Sequence, residues 1–165
     1  MCVDSVDGDI VLINDRLYSA WIYQLGCCYE KCTITVIPLK NYTHNTFYSL
    51  PIRPSPNLPN DQAIKLYPSL GLFEGTNINA GRGTEFQFQR YGAPFLDKAV
   101  LSFDYTPIAN FGAKHPKHKN TICYGEDLKN EDINGIMTLK WVIKAYQNAT
   151  DRTLFFNTSN FTKHA

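Results

Sequence analysis

An excess of charge of either sign is absent from this 165-residue sequence: 16 Lys and Arg stand against 15 Asp and Glu, a formal net charge of +1. So even a balance gives no field strong enough to draw nucleic acid or an anionic membrane surface, and the expected partner is neutral or modestly charged. Long apolar runs are missing too. No stretch approaches the ~20 residues needed to cross a bilayer, so no membrane span is expected. The start of the chain, with Asp4, Asp7 and Asp9, lacks the basic opening and apolar core of an export signal. The 5 cysteines, Cys2, Cys27, Cys28, Cys32 and Cys123, are odd in number. Cys28 and Cys32 have no second Cys or His pair at zinc spacing, so the expectation is small, mostly buried thiols and no metal site.

Several catalytic signatures are absent as well. Gly81-Arg82-Gly83-Thr84 lacks the lysine of a P-loop and is followed by an alternating pattern, not by a helix, which argues against a nucleotide-binding module. No Gly-x-Ser-x-Gly elbow occurs, and neither an internal repeat nor a low-complexity tract is visible. No cofactor is expected.

What the chain does have is concentrated between Leu72 and Pro94, in LFEGTNINAGRGTEFQFQRYGAP. Gly75, Gly81 and Gly83 permit backbone angles closed to other residues, so this loop can bring N–H groups, Glu74 and Arg82 close to a ligand. Glu74 follows the apolar Leu72-Phe73. A partly desolvated carboxyl there would have a pKa raised toward a general acid's range; otherwise it accepts bonds from a tight turn or pairs with Arg82. The Arg82 fork suits a ligand carboxylate or several hydroxyls, with an ordinary surface ion pair as the alternative. Aromatic residues flank the loop, among them Tyr48, Tyr67, Phe73, Phe86 and Tyr91. They would either stack on the apolar face of a sugar ring or pack in the core.

At 165 residues and 44% apolar, the chain is long enough for one ordinary domain, the default expectation, or for two incomplete ones. Residues 33–37, TITVI, read as a buried strand ending at Pro38, which would place His44 at a carboxyl-terminal strand end, where open α/β sheets gather ligand contacts. Pro51, Pro54, Pro56 and Pro59 make a stiff connector. Asn60 or Asp61 is expected to cap a short helix running to Tyr67 and ended by Pro68. Phe86 to Gln89 alternate as a half-buried strand does, and Val100–Tyr105 and Thr121–Tyr124 read as further strands. The intervening ANFGAKHPKHKN, with His115 and His118, reads as a solvated basic loop. Asn130 is expected to open a helix whose Ile136, Leu139, Ile143 and Tyr146 form an apolar stripe against a sheet.

The runs TVIPLKNYTH (35–44), PSPNLPN (54–60), YPSLGLFEGTNINAGRGT (67–84), FQRYGAP (88–94) and CYGEDL (123–128) resemble the bacterial exo-β-N-acetylmuramidase family, formerly a domain of unknown function, over roughly residues 32–165. The resemblance implies an α/β protein: the end of a Rossmann-like sheet in residues 1–50, followed by a smaller, incomplete α+β domain in 51–165. It implies recognition and, in intact relatives, hydrolysis of terminal N-acetylmuramic acid from peptidoglycan fragments, in a periplasmic or secreted setting. The family's proposed catalytic glutamate sits in a Pro-Glu-His-Gly motif early in the first domain, and this sequence has no such motif. Because glycoside hydrolysis typically uses two carboxyl groups, a non-catalytic carbohydrate-binding fragment is the alternative. On the family reading Glu74 is the catalytic candidate, and Asn77, Arg82, Thr84, His44 and Asn57 bind the sugar, with Arg82 facing the lactyl carboxylate.

Overall fold

A computed structural model of the chain describes residues 40, 41, 43, 45–133 and 136–157. The expected strand at 33–37, the Rossmann-like remnant it would belong to and His44 lie outside the described residues. The chain divides between Phe47 and Tyr48 into two units, and every element below belongs to the second.

That unit is a small α+β arrangement. Helix α1 spans Asp61–Leu70, and a 3-10 helix, Gly71–Gly75, continues from it. Three short strands follow, β1 (Arg90–Ala93), β2 (Phe103–Tyr105) and β3 (Cys123–Asp127). They form an antiparallel sheet in the order β1-β3-β2, with Gly92 opposite Gly125 on one side and Phe103 opposite Gly125 on the other. Helix α2 spans Lys140–Gln147, and a short 3-10 turn covers Arg152–Leu154.

The Asn60 side chain caps α1 by accepting from the Ala63 N–H at 2.9 Å, as expected of an N-cap residue. Pro68 does not end the helix. It removes one backbone donor, but Leu66, Ser69 and Leu70 are buried on the face that also carries Ala63, and that packing carries the last turn through to Leu70. The core then gathers Leu66, Phe73, Tyr91, Leu101, Trp141 and Phe155, each no more than 2% exposed. Phe73 stacks on Tyr91 at 4.8 Å.

Three further expectations are corrected. Phe86 to Gln89 form turns, not a strand: Phe88 adopts φ +52°, its N–H donates to the Ala80 carbonyl, and the Gln89 N–H donates to Phe86. The strands near 100 and 121 start later than their β-rich composition suggests. The second helix begins at Lys140, not Asn130, because α1 holds the preceding segment. Gln62 donates to the carbonyls of Leu128 and Glu131, and Ser69 Oγ accepts from the Thr138 N–H. As a result Trp141 and Ala145 face the core, while Ile136, Leu139 and Ile143 are at least half exposed.

Candidate binding site

Gly81 and Gly83 shape the loop as their composition requires. Their φ angles are +74° and +83°; a Cβ on Gly81 would meet the Phe86 carbonyl at 2.5 Å, and one on Gly83 would meet Pro116 at 2.7 Å. The close approach at Gly83 brings the loop against the basic segment 109–120. Between the two lies a cavity of about 480 Å³ whose walls include Glu74, Arg82, Lys114, His115, Pro116 and Lys117.

Two of the expected site residues meet on that wall. Arg82 Nη1 lies 3.9 Å from Glu74 Oε1, with side chains 44% and 55% exposed. That separation is too long for a hydrogen bond, and a pair so wet adds little to stability, so both head groups remain available to a ligand. The Glu74 carboxylate stands at the cavity rim with more than half of its side chain exposed. The other three described candidates act as ties within the backbone. Asn77 Nδ2 donates to the Leu154 carbonyl at 2.7 Å, Thr84 Oγ1 donates to Gly81 at 2.7 Å, and Asn57 Nδ2 donates to Gly112 at 2.9 Å. None of these three lines the cavity. Of the flanking aromatics only Phe73 borders it, and Tyr91 is wholly buried. Phe86 lies beneath the Arg90 guanidinium, 4.4 Å from the ring centre. Phe73 and Tyr91 pack in the core, while Tyr48, Tyr67 and Phe86 keep exposed rings that do not line the cavity.

The basic loop is closer to the site than its composition suggests. His118 stands at φ +56° and its Nε2 is 2.6 Å from the Asn77 carbonyl. Since a carbonyl only accepts, Nε2 carries the hydrogen. Burial pushes the His118 pKa below the ordinary histidine value; the bond to Asn77 works against that, and the Lys117 charge adds to it. Burial likewise lowers the Lys117 pKa, opposed by Glu74 and reinforced by Arg82. Asn79, 1% exposed, joins the two loops, with Nδ2 donating to Arg82 O at 3.0 Å and Lys117 O at 2.9 Å. Tyr105 Oη is 3.0 Å from both Asn79 oxygens. The one sequence sign of Asn79 was a polar residue set between the apolar Ile78 and Ala80. Cys123, the one cysteine among the described residues, is buried, and its thiol pKa is pushed up to about 12 by burial.

The lowered histidine pKa has a stability consequence. Unfolded chain binds the proton more readily, so stability is full above the unfolded value of about 6.5 and falls as pH drops through it toward the folded value. His118→Asn, a residue that tolerates positive φ, is expected to flatten that fall. Denaturant midpoints for both proteins between pH 7 and pH 5 check it: the wild type should lose more on acidification than the variant, and equal losses would sink the assignment.

A glycine-bent loop thus faces a basic loop across a cavity in a unit of two helices and a small antiparallel sheet, an α+β domain. The comparisons give the family. A model of the C-terminal portion of the exo-β-N-acetylmuramidase NamZ matches residues 65–165. The peptidoglycan β-N-acetylmuramidase NamZ of Bacillus subtilis (strain 168) is 30% identical over 152 residues, covering 80% of this chain and 36% of that protein. A crystal structure of a DUF1343 family protein from Bacteroides fragilis NCTC 9343 is similar with a TM-score of 0.67 at 47% identity, covering 76% of this chain and 36% of that one. The chain belongs to the NamZ exo-β-N-acetylmuramidase family and carries its C-terminal portion, spanning little more than a third of the length of these two relatives.

Proposed function

We propose that this chain supplies a sugar subsite for terminal N-acetylmuramic acid in peptidoglycan fragments, and that in longer relatives the same subsite serves hydrolysis. The observation that carries the reading is the Arg82–Glu74 pair, loose and half exposed on the cavity wall. Arg82 faces the lactyl carboxylate, and Glu74 accepts from a sugar hydroxyl. Lys114 and His115 on the opposite wall make the lining predominantly basic, which suits an acidic sugar better than a neutral one. Residues 1–50 are read as the end of a Rossmann-like sheet, with 51–165 as the C-terminal domain. A peptidoglycan substrate implies a periplasmic or extracellular place of action.

Recognition without cleavage fits this chain best. Glu74 is the one carboxylate among the described residues lining the cavity, and hydrolysis typically needs a second about 5–9.5 Å away. Incubation with a chromogenic muramic acid glycoside should therefore release no product. Turnover that Glu74→Gln abolishes would overturn the non-catalytic reading. Calorimetry tests recognition. N-acetylmuramic acid should bind more tightly than N-acetylglucosamine, which lacks the lactyl group, and Arg82→Ala should weaken the former by on the order of tenfold or more with little change in the latter. Equal affinity for the two sugars would dispose of the proposed role of Arg82.

A further inference from the structure

The Lys117 ammonium sits among four backbone carbonyls of one short segment. Its Nζ lies 2.9 Å from Phe73 O, 3.4 Å from Glu74 O and 3.3 Å from Ile78 O, and it also bonds the Thr76 carbonyl. The carbonyl of Asn77 is taken by His118 and that of Gly75 by the Asn157 N–H. Every carbonyl from Phe73 to Ile78 therefore has a donor, and the three N–H groups of one side chain are shared among four of the six. Phe73 to Gly75 form the end of the 3-10 helix, where the Phe73 carbonyl also accepts from the Thr76 N–H and hydroxyl; the Glu74, Thr76 and Ile78 carbonyls receive the ammonium on the way to the bridge that joins Asn79 to Gly92. Carbonyl oxygens converging on one point repel each other unless a cation lies at their centre, and a half-buried group of this kind is costly to leave unpaired. Lys117 reaches the loop a second way: its own carbonyl accepts from Asn79 Nδ2, whose other hydrogen goes to Arg82 O.

The geometry points to Lys117 as the positioning residue of the site, its ammonium holding the backbone that presents Glu74 and Arg82 to the ligand. This rests on the sugar-subsite reading above for the identity of the ligand, though not for the ordering of the loop. Arg82 and Glu74 are themselves too loosely paired to define the loop. A lysine suits the role because its three N–H donors radiate from one compact charge, which a planar guanidinium cannot reproduce.

The test compares amide hydrogen exchange in the full chain with and without the charge. In Lys117→Met, which keeps the length and apolar stem, the amides of Asn77 and Asn79 should exchange on the order of tenfold or more faster. That of Ile143 in α2 should stay as in the wild type. Uniform acceleration, or none, would overturn the assignment, because a residue that merely adds stability loosens both places alike. Affinity for N-acetylmuramic acid should fall by at least about tenfold in the same variant, and an unchanged affinity would also count against a positioning role. Lys117→Ala offers chemical rescue. Propylammonium, which replaces the deleted atoms, should restore slow exchange, or folding itself should that variant not fold, whereas 1-propanol should not. The same response to both compounds would overturn the proposal. A wild-type chain that ignores the sugar would defeat the subsite reading, and the exchange data would still decide whether Lys117 orders the loop.

Discussion

Gly125→Ala is expected to abolish cooperative folding of the unit, or to destabilise it at or beyond the roughly 4–5 kcal/mol that single substitutions seldom exceed. Gly125 lies in β3, the central strand, opposite Gly92 of β1 and Phe103 of β2. An added Cβ would be driven into the Tyr91 carbonyl oxygen and would stand 2.8 Å from Gly92 Cα. These are backbone atoms, and no side-chain rotation relieves the overlap. Gly92 is crowded in the same manner, since a Cβ there would lie 2.7 Å from the Tyr124 carbonyl oxygen. The two glycines face each other because the strands approach too closely for a side chain between them. A urea titration followed by far-ultraviolet circular dichroism measures the effect, and a midpoint close to the wild type would show that β1 and β3 do not pair in this register.

Phe73→Ala is expected to lose roughly 3–5 kcal/mol, the usual range for emptying a buried aromatic site. Its ring is fully buried and stacks on Tyr91, whose hydroxyl donates to Glu126, and Glu126 also receives Lys144 Nζ at 2.5 Å. Desolvation and the Glu126 carboxylate raise the Tyr91 pKa well above its ordinary value, so that hydroxyl remains a donor throughout the working range. The Phe73 backbone takes part in the site as well, since its carbonyl receives the Lys117 ammonium. The substitution should thus weaken sugar binding along with stability. Phe73→Leu, which fills most of the volume, should retain the larger part of both. A loss below about 1 kcal/mol on truncation to alanine would mean that the space collapses without penalty and that the stacked pair is not central to the core.

The site was partly legible from residue types and partly not. Glu74 and Arg82 could be named because charged residues set among Gly75, Gly81 and Gly83 have few structural reasons to be there, and both line the cavity. Asn77, Thr84 and Asn57 carry the same polar chemistry, yet their side chains are engaged by carbonyls at Leu154, Gly81 and Gly112. Composition cannot separate an amide that greets a ligand from one that ties a loop. Lys117 was hidden for the opposite reason. In sequence it is one of several lysines in a polar stretch, and what distinguishes it is the convergence of four carbonyls some forty positions away. The stripe at Ile136, Leu139, Ile143 and Tyr146 has helical spacing, but that spacing does not tell which side of the helix meets the core. Trp141 and Ala145 hold that side.

By itself the amino-acid sequence determined the features that depend on neighbouring residues: the Asn60 cap, the glycines that bend the binding loop, and the ordered runs by which the family is recognised. Each is a property of a few adjacent side chains and of the backbone angles they allow. The tertiary structure alone decided where the sheet begins, how far α1 outlasts Pro68, which face of α2 is buried and which lysine stabilises the loop beside the cavity. Those outcomes come from contacts between distant segments, whose burial and hydrogen bonding outweigh local preference once the chain has closed on itself.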